Sequence, residues 1–343
     1  MEALPGALEL RLNPRVVAGP SGPEVLLERL TSRERVLTGG DAVPAGARLP
    51  GPLGRLVRET LRRARARVHR VRLPGGRSLL LGRRTLVMGI LNVTPDSFSD
   101  GGRWFDPDRA VAHGLEMVRQ GADLVDVGGE STRPGARPVP AEEEIRRVRP
   151  VVERLAREGV LVSIDTSKAA VARAAFRAGA RILNDVTALR GDPAMARTAS
   201  RAGAAVILLH MKGTPRTMQV DPRYGDVVAE ICRFFRKVLK YALSAGIPRD
   251  KILLDPGIGF GKRPEHNVEI LRRLDEFRSL GLPLVVGTSR KSFIGHYLGR
   301  AVGERLAGTA ATVAAAILRG ADVVRVHDVR EMSDVARMAD LLR

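Results

Sequence analysis

Aromatic side chains are scarce in this 343-residue chain, which has one Trp, three Tyr and eight Phe. A surface so poor in rings offers few platforms for stacking single-stranded bases. Cysteine is scarcer still. Cys232 stands alone, which excludes an internal disulfide and any multi-cysteine zinc site. It lies in a helical run beside Phe234 and Phe235, where a buried, inert thiol is expected. No run of about 18 uncharged apolar residues occurs, so no transmembrane helix and no membrane partner are expected. The N-terminus carries two glutamates and no basic residue before Arg11, the wrong pattern for a secretory leader. A cytoplasmic protein is the expectation. Lysine is also rare, seven against fifty arginines, a skew that looks like compositional bias.

What is present is enough for a large core. Hydrophobic residues make 44% of the chain, and its length needs no metal or disulfide staples. The net charge is +19, a balance that suits an anionic partner or substrate. Residues 1–87 hold 17 basic and 7 acidic residues, so over half of the excess sits in the first quarter. Residues 1–52 are rich in Gly and Pro, with a short apolar stretch at 25–30. Over 53–69, Leu53, Leu56, Val57, Leu61 and Val68 recur at helical spacing with arginines between them, which predicts an amphipathic basic helix. Apolar runs at 71–73 and 78–81 around Pro74-Gly75-Gly76 predict a hairpin.

From residue 86 the pattern alternates. Apolar runs at 86–91, 124–127, 161–164, 181–183, 205–209, 252–254, 284–286 and 323–326 are separated by helical patterns at 108–120, 141–158, 168–178, 193–202, 223–245, 265–280, 303–319 and 332–342. Several helices stop at glycine, as at Gly121, Gly159, Gly179, Gly246 and Gly320. Uniformly apolar strands imply a parallel sheet covered on both faces. Eight such units over about 250 residues match a (β/α)8 TIM barrel. An open doubly wound sheet is the alternative, but eight strands in one run favour closure. The expected organisation is an N-terminal extension over 1–70 and a barrel over 71–343 that opens with the hairpin.

In a barrel, chemistry collects at the C-terminal strand ends. Those positions hold Asn92, Asp126, Asp165, Asn184, Asp185, His210, Asp255, the 288–291 segment, Arg325 and His327. Each Asp or Asn alone could be a helix N-cap. Capping does not account for Lys291, Arg325 and His327, and a merely structural barrel has no reason to desolvate so many carboxylates on one rim. Asp126 and Asp185 rank below Asp255, as capping or supporting groups. The loops carry long, specific strings: MGILNVTPDSFSDGG at 88–102, GGESTRPGA at 128–136, HMKGTP at 210–215, DPGIGFGK at 255–262, GTSRKSFIG at 287–295 and RVHDV at 325–329. GIGFG lacks the spacing of a dinucleotide loop, and GFGKR lacks the Ser/Thr of a phosphate loop.

With these six strings in order, the sequence from about 71 to 343 resembles the dihydropteroate synthase family of pterin-binding barrel enzymes. The resemblance implies condensation of 6-hydroxymethyl-7,8-dihydropterin diphosphate with 4-aminobenzoate, giving 7,8-dihydropteroate and diphosphate in folate biosynthesis. Asp165, Asn184 and Asp255 suit the N–H donors of a pterin edge. Lys291 can donate to its ring, and Met211 can floor it. Thr132, Arg133, Arg325 and His327 would hold the diphosphate. Asn92 looks like a ligand of the Mg²⁺ that accompanies it, with substrate oxygens and water supplying the rest. Asp100 would help stabilise an electron-deficient pterin methylene, so Lys291, Asp100, Arg325 and His327 form the expected catalytic set. Phe98, Pro134 and Ser292 would receive 4-aminobenzoate and the sulfonamides that mimic it. Gly101, Gly102, Gly128, Gly129 and Gly135 would let loops close. The resemblance also implies a homodimer packed through helices near the end of the barrel.

Three other readings compete with this one. A pterin-barrel methyltransferase would not need the diphosphate cations. A silent paralogue should show gaps at Asn92, Lys291 or Arg325. A nucleic-acid-binding protein driven by the basic extension would bind with steep salt dependence, but a run such as 62–67 is more often a solvated helix face. His113, His266 and His296 lack metal spacing, and His210 is read as packing beneath its loop or as a direct ligand.

Overall fold

A computed structural model describes residues 14–19, 22–27, 41–44, 51–94, 106–131 and 138–343. Strands β1 (Arg15–Gly19), β2 (Gly22–Leu27) and β3 (Asp41–Pro44) form a small antiparallel sheet. Helix α1 (Gly51–Arg65) follows, where the arginine-interleaved apolar pattern predicts it. Its Leu56, Val57 and Leu61 pack on Val25. The predicted hairpin is β4 (His69–Arg72) and β5 (Ser78–Leu81).

The barrel strands are β6 (Leu86–Asn92), β7 (Leu124–Gly128), β8 (Val162–Asp165), β9 (Ile182–Asp185), β10 (Ala205–Leu209), β11 (Ile252–Asp255), β12 (Val285–Val286) and β13 (Val323–Val326). They pair in parallel in the order β11-β10-β9-β8-β7-β6-β13-β12. The ring closes where Leu254 bridges Leu284 and its amide donates to the Pro283 carbonyl at 2.9 Å. This is the closed (β/α)8 barrel, not the open sheet. Helices α2 (Pro107–Arg119), α3 (Ala141–Arg157), α4 (Ala169–Ala178), α5 (Met195–Ala202), α6 (Val227–Ser244), α7 (Pro264–Arg272), α8 (Ser292–Leu298), α9 (Leu306–Leu318) and α10 (Val329–Leu341) follow the strands in turn, with α8 and α9 both between β12 and β13.

Strand alternation makes two cores. Val87, Leu91, Val125, Val127, Ile164 and Leu208 face the helices. Met88, Leu124, Ile182, Ile207, Leu253 and Val323 meet inside the ring. Val71, Leu73 and Leu81 of the hairpin join that inner cluster, so the hairpin plugs the bottom of the barrel. The next inward position on several strands is polar, and that step raises the chemistry to the mouth.

The run at 265–280 is not one helix. α7 ends at Arg272, and a 3-10 segment, Leu274–Leu280, continues. Arg273 interrupts the helix and pairs with Asp226, Glu269 and Glu276. The segment receives the N-terminal module. Arg15 is fully buried between Glu276 and Asp226. The Val16 amide donates to Ser279 Oγ at 2.8 Å, and Arg278 Nη2 donates to the Ala66 carbonyl at 2.7 Å.

Candidate functional site

The inward alternation places Asp126 on β7, Asp165 at the end of β8, Asn184 on β9, Asp255 at the end of β11 and Arg325 on β13. Register sets Asp165 beside both Gly128 and Asn184, and Asp255 beside Leu209. Arg325 ties the tier together. Its Nε donates to Asp126 Oδ2 at 2.7 Å and its Nη2 to Asp165 Oδ2 at 2.8 Å. Asn184 Nδ2 donates to the same Asp126 oxygen at 2.8 Å. Asp126 Oδ1 and Asn184 Oδ1 are buried without a protein partner. An unmet buried acceptor costs about 1–3 kcal/mol, and both oxygens are open to a donor from water or from a bound molecule.

Burial sets the electrostatics. It pushes the Asp165 carboxyl up to about 7, with Arg325 opposing and Asp126 adding to the rise. It pushes Asp255 up to about 6, against the amide of Gly257 and the charges of Lys291 and Arg325. That amide donates to Asp255 Oδ1 at 2.7 Å. Burial works against the Arg325 charge, yet Asp126 and Asp165 hold its pKa above the ordinary value. Burial, then Arg325 and Arg290, depress His327 to about 3. Its ring is therefore neutral at neutral pH, with Nδ1 3.0 Å from Ser289 Oγ.

Lys291 opens α8, and its Nζ lies 4.4 Å from the centroid of the Phe260 ring. The preceding Arg290 has φ +58, a conformation that non-glycine residues rarely adopt. Its side chain pairs with Asp328 and its amide donates to Thr309 Oγ1 at 3.1 Å. Met211 is buried in an apolar group with Val186, Leu209, Met218 and Phe260. Ser292 is exposed and borders a cleft of about 310 Å³ shared with Gln219, Lys262 and Asn267. Asn92 is half-buried at the end of β6.

His210 is a packing residue. It is buried, its Nδ1 lies 3.0 Å from Lys262 Nζ, and its ring meets Phe234 edge-on at 4.8 Å. Asp185 points outward and caps the following turn through the amides of Thr187 and Leu189, both at 2.8 Å. Asp126, expected from sequence to be a capping or supporting group, supports the tier by accepting from both Arg325 and Asn184. Phe260, Lys262 and the Lys168 cluster were not singled out. Lys168 Nζ lies 2.5 Å from both Glu130 and Glu144, and Glu130 also accepts from the Val139 amide at 2.9 Å. That clamp fixes both flanks of the 132–137 segment. The pattern that finds Asp126 is strand alternation; nothing in local spacing reveals a Lys–Glu–Glu cluster split over 38 positions. Phe98, Asp100, Thr132, Arg133, Pro134 and the glycines Gly101, Gly102 and Gly135 lie outside the described residues. Among the described residues, no group of three or more His, Cys, Asp or Glu side chains could hold a metal ion.

The pterin binding enzyme family model matches residues 88–327. The dihydropteroate synthase of Escherichia coli K12 is 50% identical over 242 residues, which span 70% of this chain and 86% of that one. Among solved structures, Xanthomonas albilineans dihydropteroate synthase with 4-aminobenzoic acid aligns with TM-score 0.74 at 46% identity, covering 80% of this chain and 98% of the other. The same enzyme in complex with 7,8-dihydropteroate aligns with TM-score 0.71 at 43% identity and the same coverage. With a family model matched over 88–327 and a relative 50% identical over 242 residues, the chain belongs to the dihydropteroate synthase family of pterin-binding enzymes.

Proposed function

We propose a division of labour within the mouth for the family reaction, in which 4-aminobenzoate displaces diphosphate from 6-hydroxymethyl-7,8-dihydropterin diphosphate to give 7,8-dihydropteroate. The observation that supports it is the buried tier of Arg325, Asp126, Asp165 and Asn184 with its unmet acceptors. A pterin edge presents N–H donors, and Asp165, Asn184 and Asp255 offer acceptors to match. Such a site discriminates strongly, because a ring lacking those donors leaves buried oxygens unpaired. Lys291 donates to the pterin ring, and Met211 packs beneath it.

At the other side the leaving group gathers charge. Arg325 Nη1 has no partner among the described residues and is the guanidinium nitrogen that meets a diphosphate oxygen. His327 adds a neutral donor, and Thr132 and Arg133 belong to the same grip. The C–O bond to diphosphate breaks, the arylamine nitrogen forms the C–N bond, and its proton passes to solvent. Electrostatic stabilisation of the departing oxygens is the main catalytic task. Asp100 serves the electron-deficient methylene. Phe98, Pro134 and Ser292 receive the aminobenzoate, and the exposed Ser292 hydroxyl beside a cleft suits its carboxylate.

Mg²⁺ fits this chain in a limited way. With no acidic cluster among the described residues, Asn92 would contribute one amide oxygen, and substrate oxygens and water would complete the shell. When bound, the ion neutralises charge on the diphosphate. A cytoplasmic location is proposed with this function; among the described residues no helix is long and apolar enough to cross a membrane.

The deciding experiment incubates the purified protein with pterin diphosphate, 4-aminobenzoate and Mg²⁺ and measures dihydropteroate. Product is expected from the intact chain. Asp165→Ala is expected to lower pterin diphosphate affinity by about 100-fold, the scale of one lost charged hydrogen bond in a dry site. Wild-type affinity in that variant would remove Asp165 from the site.

A further inference from the structure

Lys262 has 2% of its surface exposed, a rare place for a lysine. Its Nζ has three partners: it donates to the His210 carbonyl at 3.2 Å and the Phe260 carbonyl at 2.9 Å, and lies 3.0 Å from His210 Nδ1. An apolar side chain would pack at lower desolvation cost, so the amine answers to a geometric demand. That demand is visible in the segment it closes. Residues 257–262 lie directly on the backbone of residues 210–212. A Cβ on Gly257 would overlap the His210 carbonyl oxygen, and one on Gly261 would overlap that of Lys212. Both glycines have positive φ, +70 and +65. Side chains from 210–226 then stitch the two segments. Tyr224 OH donates to the Gly261 carbonyl and Gln219 Nε2 to the Gly259 carbonyl, both at 2.7 Å. The residue left at the crest is Phe260, whose ring joins Met211 and Met218 and lies under Lys291 Nζ.

We propose that Lys262 is a positioning residue, whose buried amine locks the 257–262 segment onto the end of β10 and so fixes the Phe260 ring beneath Lys291. In this reading Lys262 acts through Phe260 and not on the substrate itself. It acts on the pterin-facing side of the mouth by holding the surface against which Lys291 is aimed. The inference rests on the reading above, in which Lys291 meets the pterin ring. Burial drives the Lys262 amine well below the ordinary lysine range. Two carbonyls accept from the amine, and His210 Nδ1 pairs with it in the role that the imidazole tautomer sets.

A double-mutant cycle tests it. Lys262→Met keeps length and volume, and Phe260→Leu removes the ring. Each is expected to lower kcat/KM for pterin diphosphate by about tenfold, and the double variant to be no worse than about threefold below the poorer single, because both remove one and the same placement. Losses that multiply would overturn the proposal, since a general loss of integrity does not depend on Phe260. Should Lys262→Met fold poorly by circular dichroism, Tyr224→Phe cuts a milder stitch. It is expected to lower kcat/KM by about threefold in wild-type Phe260 and to have no effect in Phe260→Leu; equal effects in both backgrounds would overturn the proposal. Lys291→Ala runs alongside. If it keeps wild-type kinetics, the pterin assignment itself falls and the inference with it. If it is impaired while the cycle multiplies, the inference alone falls.

Discussion

Asp255 is a carboxylate under two opposed demands. To bind N–H donors it must be ionised, yet burial favours the protonated form and lifts it to about 6. The folded value lies above the ordinary carboxylate value, so the folded state binds the extra proton. The stability linked to that proton is present at low pH and is lost as pH rises through about 6. At pH 8 a shift of this size corresponds to a cost on the order of 2–3 kcal/mol. Asp255→Asn keeps an oxygen for the Gly257 amide and removes the buried charge. It is expected to melt at or above the wild-type temperature at pH 8 while losing pterin diphosphate binding; a lower melting temperature would mean that the charge is already well solvated by the site. Binding should follow the opposite trend. Affinity of wild type for pterin diphosphate is expected to fall as pH drops below about 7 and then about 6, as Asp165 and Asp255 take up protons. Calorimetric titration between those limits checks this, and an affinity flat from pH 5 to 8 would remove both carboxylates from the pterin contact.

At the scale of elements, the β4–β5 hairpin is the floor on which the polar tier rests. Leu81 is fully buried among Met88, Leu124, Ile207 and Val323. Leu81→Ala is expected to cost about 2–5 kcal/mol, read by urea melts, with substrate KM unchanged; an altered KM would show that the floor transmits to the mouth. The N-terminal module has a different hold, through Arg15 on Asp226, the N-cap of α6, and on Glu276. Arg15→Ala leaves Arg273 as the one cation paired with those two carboxylates among the described residues and is expected to destabilise by about 2–3 kcal/mol; an unchanged melt would show that Arg273 suffices. Much of this architecture was legible. The alternation from residue 86 marks every barrel strand, and the same period of two marks Asp126, Asp165, Asn184, Asp255 and Arg325 as one inward set. The strands β1 to β3 escaped because Gly and Pro break their apolar runs, and tertiary pairing rather than local pattern holds them. The break at Arg273 escaped because its cause is Asp226, 47 residues away. The stitch through Lys262 escaped because nothing in GFGK says that the lysine turns inward.

At the scale of the whole molecule, one side of the helical wall carries an apolar cleft among the described residues. Ala310, Ala314 and Leu318 of α9 face Val335, Met338 and Leu342 at the end of the chain across an apolar cleft of about 450 Å³. Met338 is 58% exposed, Leu342 72% and Leu318 47%. Single exposed apolar residues need no explanation, but contiguous ones on neighbouring helices mark an interaction face. The alanines keep the helix surface low, which lets another helix approach closely. Electrostatics alone would not favour self-association, because two copies at +19 each repel at low salt. The attraction must therefore come from buried apolar area, and a two-fold arrangement would let each copy's Met338 and Leu342 fill the cleft of the other. The homodimer that the family resemblance implies is expected to form through this face. Met338→Glu places a charge in the centre of the interface and is expected to yield a monomer by light scattering at micromolar concentration, with the fold retained. Raising salt should tighten the wild-type dimer by screening its charge. A monomeric wild type, or a variant that stays dimeric, would assign the cleft no role in assembly. The catalytic mouth opens at the strand ends, whereas this face is on the helical wall, so the monomeric variant is expected to keep its affinity for pterin diphosphate.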